Sequence, residues 1–321
     1  MKKLTQRESN PFPYSDSNKR YHTYDYYLRH TFGEKVVKIT LDGGFTCPNR
    51  DGTCGTGGCI YCSGRGSGDF TEGALLPVAE QFAAQVERLR GKWDARKFIA
   101  YFQAFTNTYA PLPRLRELYE QALACEGVVG LNIGTRPDCL PDDVIAYLEE
   151  LSARTVVTVE LGLQTAHDDT AQRIGRGYDF SVFLDAYRRL RENAPHVRIG
   201  VHLIMGLIGE NDEKMLKTVQ RVAELVPDEV KIHLLYVLKG TRMAELYSSG
   251  ALFTLEKEHY ISLVVQALSL LPAGVVVGRL TGDADGKSLI SPLWSINKGN
   301  ILNEIDKKFY AENMWQGKAF L

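Results

Sequence analysis

The chain has 321 residues, of which 44% are hydrophobic and 24% charged, and its formal net charge at pH 7 is -1. This composition is typical of a globular protein and excludes a fibrous or largely disordered chain. The balanced charge gives no overall attraction to nucleic acid or membrane, so a polyanionic partner would need a local basic patch. No segment approaches the roughly 20 apolar residues of a membrane span and no secretory signal is recognisable, so we expect a cytoplasmic protein without a membrane partner.

Residues 1–34 mix aromatic and basic side chains, among them Arg20, Tyr21 and His22. Such mixing suits stacking on bases and pairing with phosphates. The alternative is that the tyrosines pack this segment onto the rest of the chain while the cations stay in solvent. The sequence leaves both interpretations open.

From residue 35 onward, short β-branched or aromatic runs alternate with longer amphipathic stretches, the pattern of repeated strand–helix units in a parallel sheet. Six runs are predicted as strands, at residues 35–41, 97–103, 128–134, 155–163, 197–205 and 229–237. Helices are predicted between them at 78–90, 112–125, 141–151, 180–192 and 212–225. Six units are too few for a closed eight-stranded barrel, so we predict an α/β fold built as a partial (β/α)6 barrel.

We divide the chain into an N-terminal extension (1–34), the partial barrel (35–250) and C-terminal α/β elements packed on it (251–321). The last part includes a predicted helix at 255–271 and the strand "GVVVGRL". In folds with parallel strands, catalytic groups gather at the carboxyl ends of the strands.

Four of the six cysteines, Cys47, Cys54, Cys59 and Cys62, lie in a glycine-rich loop directly after the first predicted strand. Thiolates that converge in a reducing compartment hold either an iron–sulfur cluster or a structural zinc ion, and spacing alone barely separates the two. The position favours a cluster, because a metal at the carboxyl end of a strand lies where catalytic groups are expected.

The loop sequences "KITLDGGFTCPNRDGT" and "GGCIYC" resemble those of the radical S-adenosylmethionine (SAM) enzymes, within them the YhcC/YtqA group related to the catalytic subunit of Elongator. The resemblance continues in "YFQAFTNTYAP", "NIGTRPDCL", "VELGLQTAHDDT", "HLIMGLIGE" and "PLWSINKGN". It implies that Cys47, Cys59 and Cys62 bind a [4Fe-4S] cluster. Cys54 is then a bystander thiol, although Cys54, Cys59 and Cys62 form an alternative triplet.

The resemblance also implies contacts to SAM near the strand ends by Gln103, Asn107, Gln164, Arg176, His202 and Met205. Two further candidates follow from position: Arg136 comes after the third predicted strand, and Glu160 shares the strand face of Gln164. Five of them have a structural alternative. Gln103 and Asn107 can be ordinary loop residues near a strand end. Arg136 can stabilise its loop by pairing with Asp138, Glu160 can form a buried ion pair, and His202 can be a core residue. No catalytic residue is assigned.

As a substrate, the resemblance implies the wobble uridine of tRNA, whose 5-carboxymethylaminomethyl side chain is shortened to aminomethyl. The partners expected are tRNA and a one-electron donor such as flavodoxin or ferredoxin. The first alternative is a radical SAM enzyme acting on a small metabolite or a protein side chain. The second is a zinc-stabilised nucleic-acid-binding protein. Cys125 and Cys139 have no CxxC partner, which disfavours a second cluster and sulfur insertion.

Overall fold

A computed structural model of the chain describes residues 10–66, 76–282 and 286–320. In this part of the chain the strands are β1 (Val36–Leu41), β2 (Lys97–Phe102), β3 (Val128–Thr135), β4 (Val156–Gln164), β5 (Arg198–Met205), β6 (Glu229–Leu234), β7 (Val237–Leu238), β8 (Val276–Arg279) and β9 (Leu289–Ser291). The α-helices are α1 (Tyr24–Phe32), α2 (Val78–Arg90), α3 (Leu112–Leu123), α4 (Asp142–Ser152), α5 (Asp168–Arg173), α6 (Phe180–Asn193), α7 (Asp212–Glu224), α8 (Arg242–Ser248), α9 (Lys257–Leu270) and α10 (Lys298–Ala311). Among the described residues, no helix is both long and apolar enough to cross a bilayer.

Seven strands form one sheet in chain order, β1-β2-β3-β4-β5-β6-β8. The pairs β1–β2, β2–β3, β3–β4 and β6–β8 are parallel. Parallel strands in chain order, joined by helices, are the arrangement of an open (β/α) barrel. The predicted fold class is confirmed, and the predicted "GVVVGRL" strand supplies the seventh strand, β8.

The six predicted strands all form, and five of them end within one residue of the predicted position. The sixth is shorter, because β6 stops at Leu234 rather than residue 237. The chain then continues into β7, which pairs antiparallel with β9 in a separate two-stranded sheet.

The chain divides into two compact units, which we describe separately. The cysteine unit comprises Leu28–Leu163 and Ala171–Val201, and the terminal unit comprises Met1–Tyr27, Gln164–Thr170 and His202–Leu321. The predicted domain boundaries at residues 34 and 250 stay predictions, and the first nine residues of the N-terminal extension lie outside the described residues.

The sheet curls within the cysteine unit. Lys38 Nζ on β1 lies 3.6 Å from Glu160 Oε1 on β4, although two strands separate β1 from β4. In a flat sheet, three strand spacings would hold the two backbones roughly 14 Å apart. Because strand side chains stand roughly perpendicular to their sheet, a contact across three strand spacings fits a curled sheet with both residues on its concave face.

Local sequence explains the elements that cover this sheet. β2 is buried at every residue from Phe98 to Phe102, as expected of a strand covered on both faces. Helix α2 begins after Pro77, carries Glu80 in its first turn and ends with Arg88 and Arg90 in its last turn. Both charge placements complement the helix dipole.

In the terminal unit, the aromatic and basic segment of the N-terminal extension packs on the C-terminal elements. The Arg20 guanidinium donates to the carbonyl oxygens of Phe309 and Met314, at 3.3 and 3.4 Å. Tyr21 is 5% exposed, and the His22 backbone N–H donates to Gln316 Oε1 at 2.9 Å. The packing alternative is therefore confirmed for Tyr21. Its expectation that the cations stay in solvent is wrong for Arg20 and His22, which are 6% and 8% exposed because protein groups take up their hydrogen bonds.

Candidate functional site

The cysteine loop, residues 42–66, follows β1 and folds back on itself. The Cys47 carbonyl oxygen accepts a hydrogen bond from the Arg50 N–H at 2.8 Å. The Cys59 carbonyl oxygen accepts one from the Cys62 N–H at 3.0 Å. The thiols of Cys47, Cys59 and Cys62 thus project from tight turns at the carboxyl end of β1.

The loop is also tied to other loops of the cysteine unit. The Phe105 N–H, just after β2, donates to the Gly66 carbonyl oxygen at 2.9 Å, and the Ile60 N–H donates to the Ile174 carbonyl oxygen at 3.0 Å. Phe105 adopts a left-handed backbone conformation with φ 60°. Such conformations persist where the surroundings fix them, often at functional sites.

Cys47, Cys59 and Cys62 are half-buried. Burial, with a smaller contribution from the neighbouring Cys59 and Cys47, raises the pKa of the Cys62 thiol to about 11. Burial likewise raises the pKa of Cys59, and Cys47 adds to that shift. Thiols that keep their protons become metal ligands when a cation replaces the proton. Cys59 and Cys62 are therefore protonated, half-buried thiols that a cationic centre can deprotonate and bind.

Cys54 has a different environment. It is exposed, its Sγ lies 3.8 Å from Arg136 Nη2, and it lines a cavity of about 870 Å³ together with Tyr109. A role in the alternative triplet with Cys59 and Cys62 is not tested by this geometry. The exposed thiol of Cys54 lines this cavity, whereas the thiols of Cys47, Cys59 and Cys62 are half-buried.

Asn107 is completely buried in the loop after β2. Its Nδ2 donates to the Gly134 carbonyl oxygen at 2.7 Å, while its Oδ1 has no hydrogen-bond partner within the described residues. A buried acceptor without a donor costs free energy, so this oxygen suits the amino group of a ligand. Gln103 follows β2 directly and is half-buried.

Arg136 is held by groups of the protein. Its guanidinium donates to both carboxylate oxygens of Asp138, at 2.9 and 2.6 Å, and to the carbonyl oxygen of Arg176 at 2.9 Å. It also lies over the Tyr178 ring, 4.7 Å from the centroid. The loop-stabilising pair with Asp138 is confirmed, and a contact of Arg136 to SAM stays a prediction.

Arg176 is 1% exposed and lies on the same Tyr178 ring, 4.4 Å from the centroid. Its Nε donates to the Tyr178 carbonyl oxygen at 2.9 Å, and its Nη1 donates to the Leu163 carbonyl oxygen at 2.5 Å. Arg136 and Arg176 therefore bring two positive charges to the segment after α5, beside the cysteine loop.

Glu160 lies in the middle of β4 and is 1% exposed. Its Oε1 accepts a hydrogen bond from Asn132 Nδ2 at 2.8 Å, in addition to the ion pair with Lys38. The buried-ion-pair interpretation is confirmed. A contact of Glu160 to SAM is not tested and stays a prediction.

The other predicted SAM contacts belong to the terminal unit. Gln164, at the end of β4, has φ 63°, and its Oε1 has no partner in the described part of the chain. The His202 ring lies 5.2 Å from the His233 ring, centroid to centroid. Met205 is 2% exposed, and its carbonyl oxygen accepts from the Leu235 N–H at 2.9 Å.

Two residues that contact this site, Asn49 and Tyr178, are absent from the sequence-based predictions. Asn49 contacts the thiol of Cys59, and Tyr178 supports both arginines. Asn49 stands in the quoted cysteine motif, so its place between two predicted ligands was the available signal. The sequence gives no comparable signal for Tyr178, because a tyrosine before a helix is most often a packing residue.

Comparisons with known proteins identify the class. A family model described as "Radical SAM superfamily" matches residues 50–222, and "Radical_SAM C-terminal domain" matches 227–311. The chain belongs to the radical SAM superfamily. It is 48% identical to YtqA of Bacillus subtilis over 313 residues, 98% of this chain and 97% of that protein. It is 39% identical to YhcC of Escherichia coli K12 over 293 residues, 91% and 93% of the two chains.

Two more distant likenesses are informative. The chain is 27% identical over 183 residues to the tRNA uridine(34) acetyltransferase of Methanocaldococcus infernus, 56% of this chain and 33% of that protein. The structure of Elp3 from the same archaeon, with its N-terminus deleted, matches with a TM-score of 0.66 at 19% identity. That match covers 88% of this chain and 64% of the Elp3 chain, and it shows a shared fold.

Radical SAM enzymes use a [4Fe-4S] cluster and SAM. The residues of this chain fit these cofactors: the cysteine loop supplies half-buried thiols, and Asn107 offers a buried acceptor without a partner. Among residues 10–66, 76–282 and 286–320, no three His, Cys, Asp or Glu side chains are grouped to hold a single metal ion.

Proposed function

We propose that Cys47, Cys59 and Cys62 hold the [4Fe-4S] cluster and that Cys54 is not a ligand. The observation that carries this assignment is burial: Cys47, Cys59 and Cys62 are half-buried in the loop at the carboxyl end of β1, whereas Cys54 in the same loop is exposed. Three ligands leave one iron without a protein ligand, as SAM binding requires. When bound, the cluster and SAM supply a 5′-deoxyadenosyl radical that takes a hydrogen atom from the substrate.

Within the cysteine unit, Asn107 Oδ1 accepts a hydrogen bond from the SAM amino group, and Gln103 offers a second neutral polar group beside it. Arg176 supplies positive charge for the SAM carboxylate. Its guanidinium is held by backbone carbonyl oxygens, so its position is set before SAM binds. Contacts by Gln164, His202 and Met205 stay predictions.

The proposed substrate is tRNA, at the 5-carboxymethylaminomethyl side chain of the wobble uridine. Support comes from the motifs shared with the YhcC/YtqA group and from the 27% identity to a relative whose name places its action on uridine 34 of tRNA. A small one-electron carrier of the flavodoxin or ferredoxin kind reduces the enzyme. The product is the aminomethyl side chain.

The chemistry of that side chain suits hydrogen abstraction. Loss of a hydrogen atom from the methylene between the amine and the carboxylate leaves a carbon radical stabilised by nitrogen. Transfer of one electron from this radical to the oxidised form of the flavodoxin- or ferredoxin-type carrier gives an iminium ion, and water adds to its carbon with loss of a proton. The C–N bond then breaks with its electron pair going to nitrogen, which releases glyoxylate and leaves the aminomethyl group.

The test uses anaerobically reconstituted, reduced enzyme with SAM and tRNA that carries the longer side chain. Nucleoside analysis by mass spectrometry should show conversion to 5-aminomethyluridine, with one glyoxylate released per nucleoside. Cys59→Ala should abolish conversion, whereas Cys125→Ala, which removes a half-buried thiol outside the loop, should retain it. SAM cleavage with unchanged nucleoside would exclude this substrate and favour a small metabolite or a protein side chain.

A further inference from the structure

Asn49 lies in the cysteine loop, two residues after Cys47, and is 6% exposed. Its Nδ2 lies 3.7 Å from Cys59 Sγ and 2.6 Å from the carbonyl oxygen of Gly175. The carbonyl oxygen of Arg176 lies 3.5 Å from the same nitrogen. One carboxamide therefore contacts both a thiol of the loop and the backbone beyond α5.

One glycine leaves room for this carboxamide. A Cβ at Gly55 would lie 2.3 Å from Asn49 Oδ1, far closer than a van der Waals contact allows. The φ of Gly55 lies outside the left-handed region, so its own backbone does not require glycine. The close approach of Asn49 is the reason that a side chain does not fit at position 55.

A hydrogen bond to a ligand sulfur changes how readily a cluster accepts an electron. Reduction adds negative charge that the sulfurs share, and an N–H aimed at a sulfur stabilises this charge and raises the reduction potential. The bond from Asn49 Nδ2 to the Gly175 carbonyl fixes the amide plane, so that nitrogen rather than oxygen faces Cys59.

We propose that Asn49 is a positioning residue that makes the cluster easier to reduce, through its N–H···S hydrogen bond to Cys59. The inference rests on the proposed assignment of Cys59 as a cluster ligand and is independent of the tRNA substrate. Because radical formation begins with reduction of the cluster, Asn49 would favour the active state without touching SAM or substrate.

The experiment is a redox titration of the reconstituted enzyme, followed by the electron paramagnetic resonance signal of the reduced cluster. Asn49→Ala removes the donor. Gly55→Ala keeps the donor but displaces the carboxamide. We expect either change to lower the equilibrium constant for reduction by roughly threefold to tenfold, tenfold being about 59 mV for one electron. The double variant should match Asn49→Ala, because Gly55→Ala acts only through Asn49.

Thr53→Ala is the matched control, since Thr53 lies in the same loop and its hydroxyl bonds to Tyr109 rather than to a thiol. Its potential should equal that of the unmodified enzyme. An unchanged potential in Asn49→Ala, or additive shifts in the double variant, overturns the inference. Should Asn49→Ala lose its iron, an unchanged potential in Gly55→Ala overturns it. Failure of the unmodified chain to assemble a cluster overturns the ligand assignment instead.

Discussion

Arg136 illustrates how one buried side chain holds the site together. It is 8% exposed. Its guanidinium donates hydrogen bonds to the Asp138 carboxylate and to the Arg176 carbonyl oxygen, and it lies 3.8 Å from the Cys54 thiol. The structure shows that these donors are engaged by the protein, while the predicted contact of Arg136 to SAM stays a prediction. Its first effect is therefore to fix the loop next to the thiols.

Arg136→Ala should lower the free energy of unfolding by about 3 kcal/mol, because it leaves a half-buried carboxylate and a buried carbonyl without their donor. Arg116→Ala is the matched control. It removes the exposed pair with Glu150 and should cost far less. Denaturant unfolding followed by circular dichroism measures both variants, and equal losses would show that Arg136 has no special structural role.

At the scale of elements, the cysteine loop depends on backbone conformations that side chains disfavour. Gly66 ends the loop with φ 57°, and a Cβ there would lie 2.3 Å from the Phe105 ring. Gly64, two residues earlier, has open space around it and an ordinary φ. The two glycines therefore form a matched pair within one loop.

Gly66→Ala should reduce both thermal stability and the iron bound after reconstitution. The added methyl group costs about 1–2 kcal/mol in a left-handed conformation and also forces the Phe105 ring to move. Gly64→Ala should bind iron like the unmodified chain. Iron analysis and thermal unfolding compare the two variants. Equal iron content and equal melting temperatures would show that the loop can rearrange to accept a side chain at position 66.

Glu210, which follows β5, accepts a hydrogen bond from the Thr165 hydroxyl, and burial raises its pKa above the ordinary 4.5. The folded chain thus holds this proton more tightly than the unfolded chain. The protonated Glu210 carboxyl contributes fully to stability at a pH below its pKa in the unfolded chain. This contribution is lost as the pH rises through its higher pKa in the folded chain.

Glu210→Gln removes this ionisation, so the variant should gain stability relative to the unmodified chain as the pH rises from about 4.5 to 8. Melting temperatures across that range provide the measurement. Glu224→Gln, at an exposed position of α7, is the control. If the melting temperatures of Glu210→Gln and the unmodified chain differ by the same amount at every pH, the raised pKa of Glu210 does not contribute to stability.

Over the whole molecule, the sequence predicted the helices and strands well, because residues close together in the chain decide where these elements begin and end. Helix α2 was predicted with its observed bounds from its amphipathic pattern and from Pro77, which precedes its first residue. Side-chain partners were harder, because periodicity tells which face a residue occupies and not what lies opposite. Glu160 was predicted to face inward, but its partner Lys38 comes from β1. Asn49 was missed because asparagine in a glycine-rich loop is usually a turn residue.

The central claim is that three specific sulfurs hold the cluster at the carboxyl end of β1. Anaerobic reconstitution with iron and sulfide, followed by iron analysis and electron paramagnetic resonance after reduction, tests it in one series of alanine variants. The account predicts about four iron atoms per chain in the unmodified protein and in Cys54→Ala, and loss of the signal in Cys47→Ala, Cys59→Ala and Cys62→Ala. A full signal in Cys47→Ala together with its loss in Cys54→Ala would contradict the assignment.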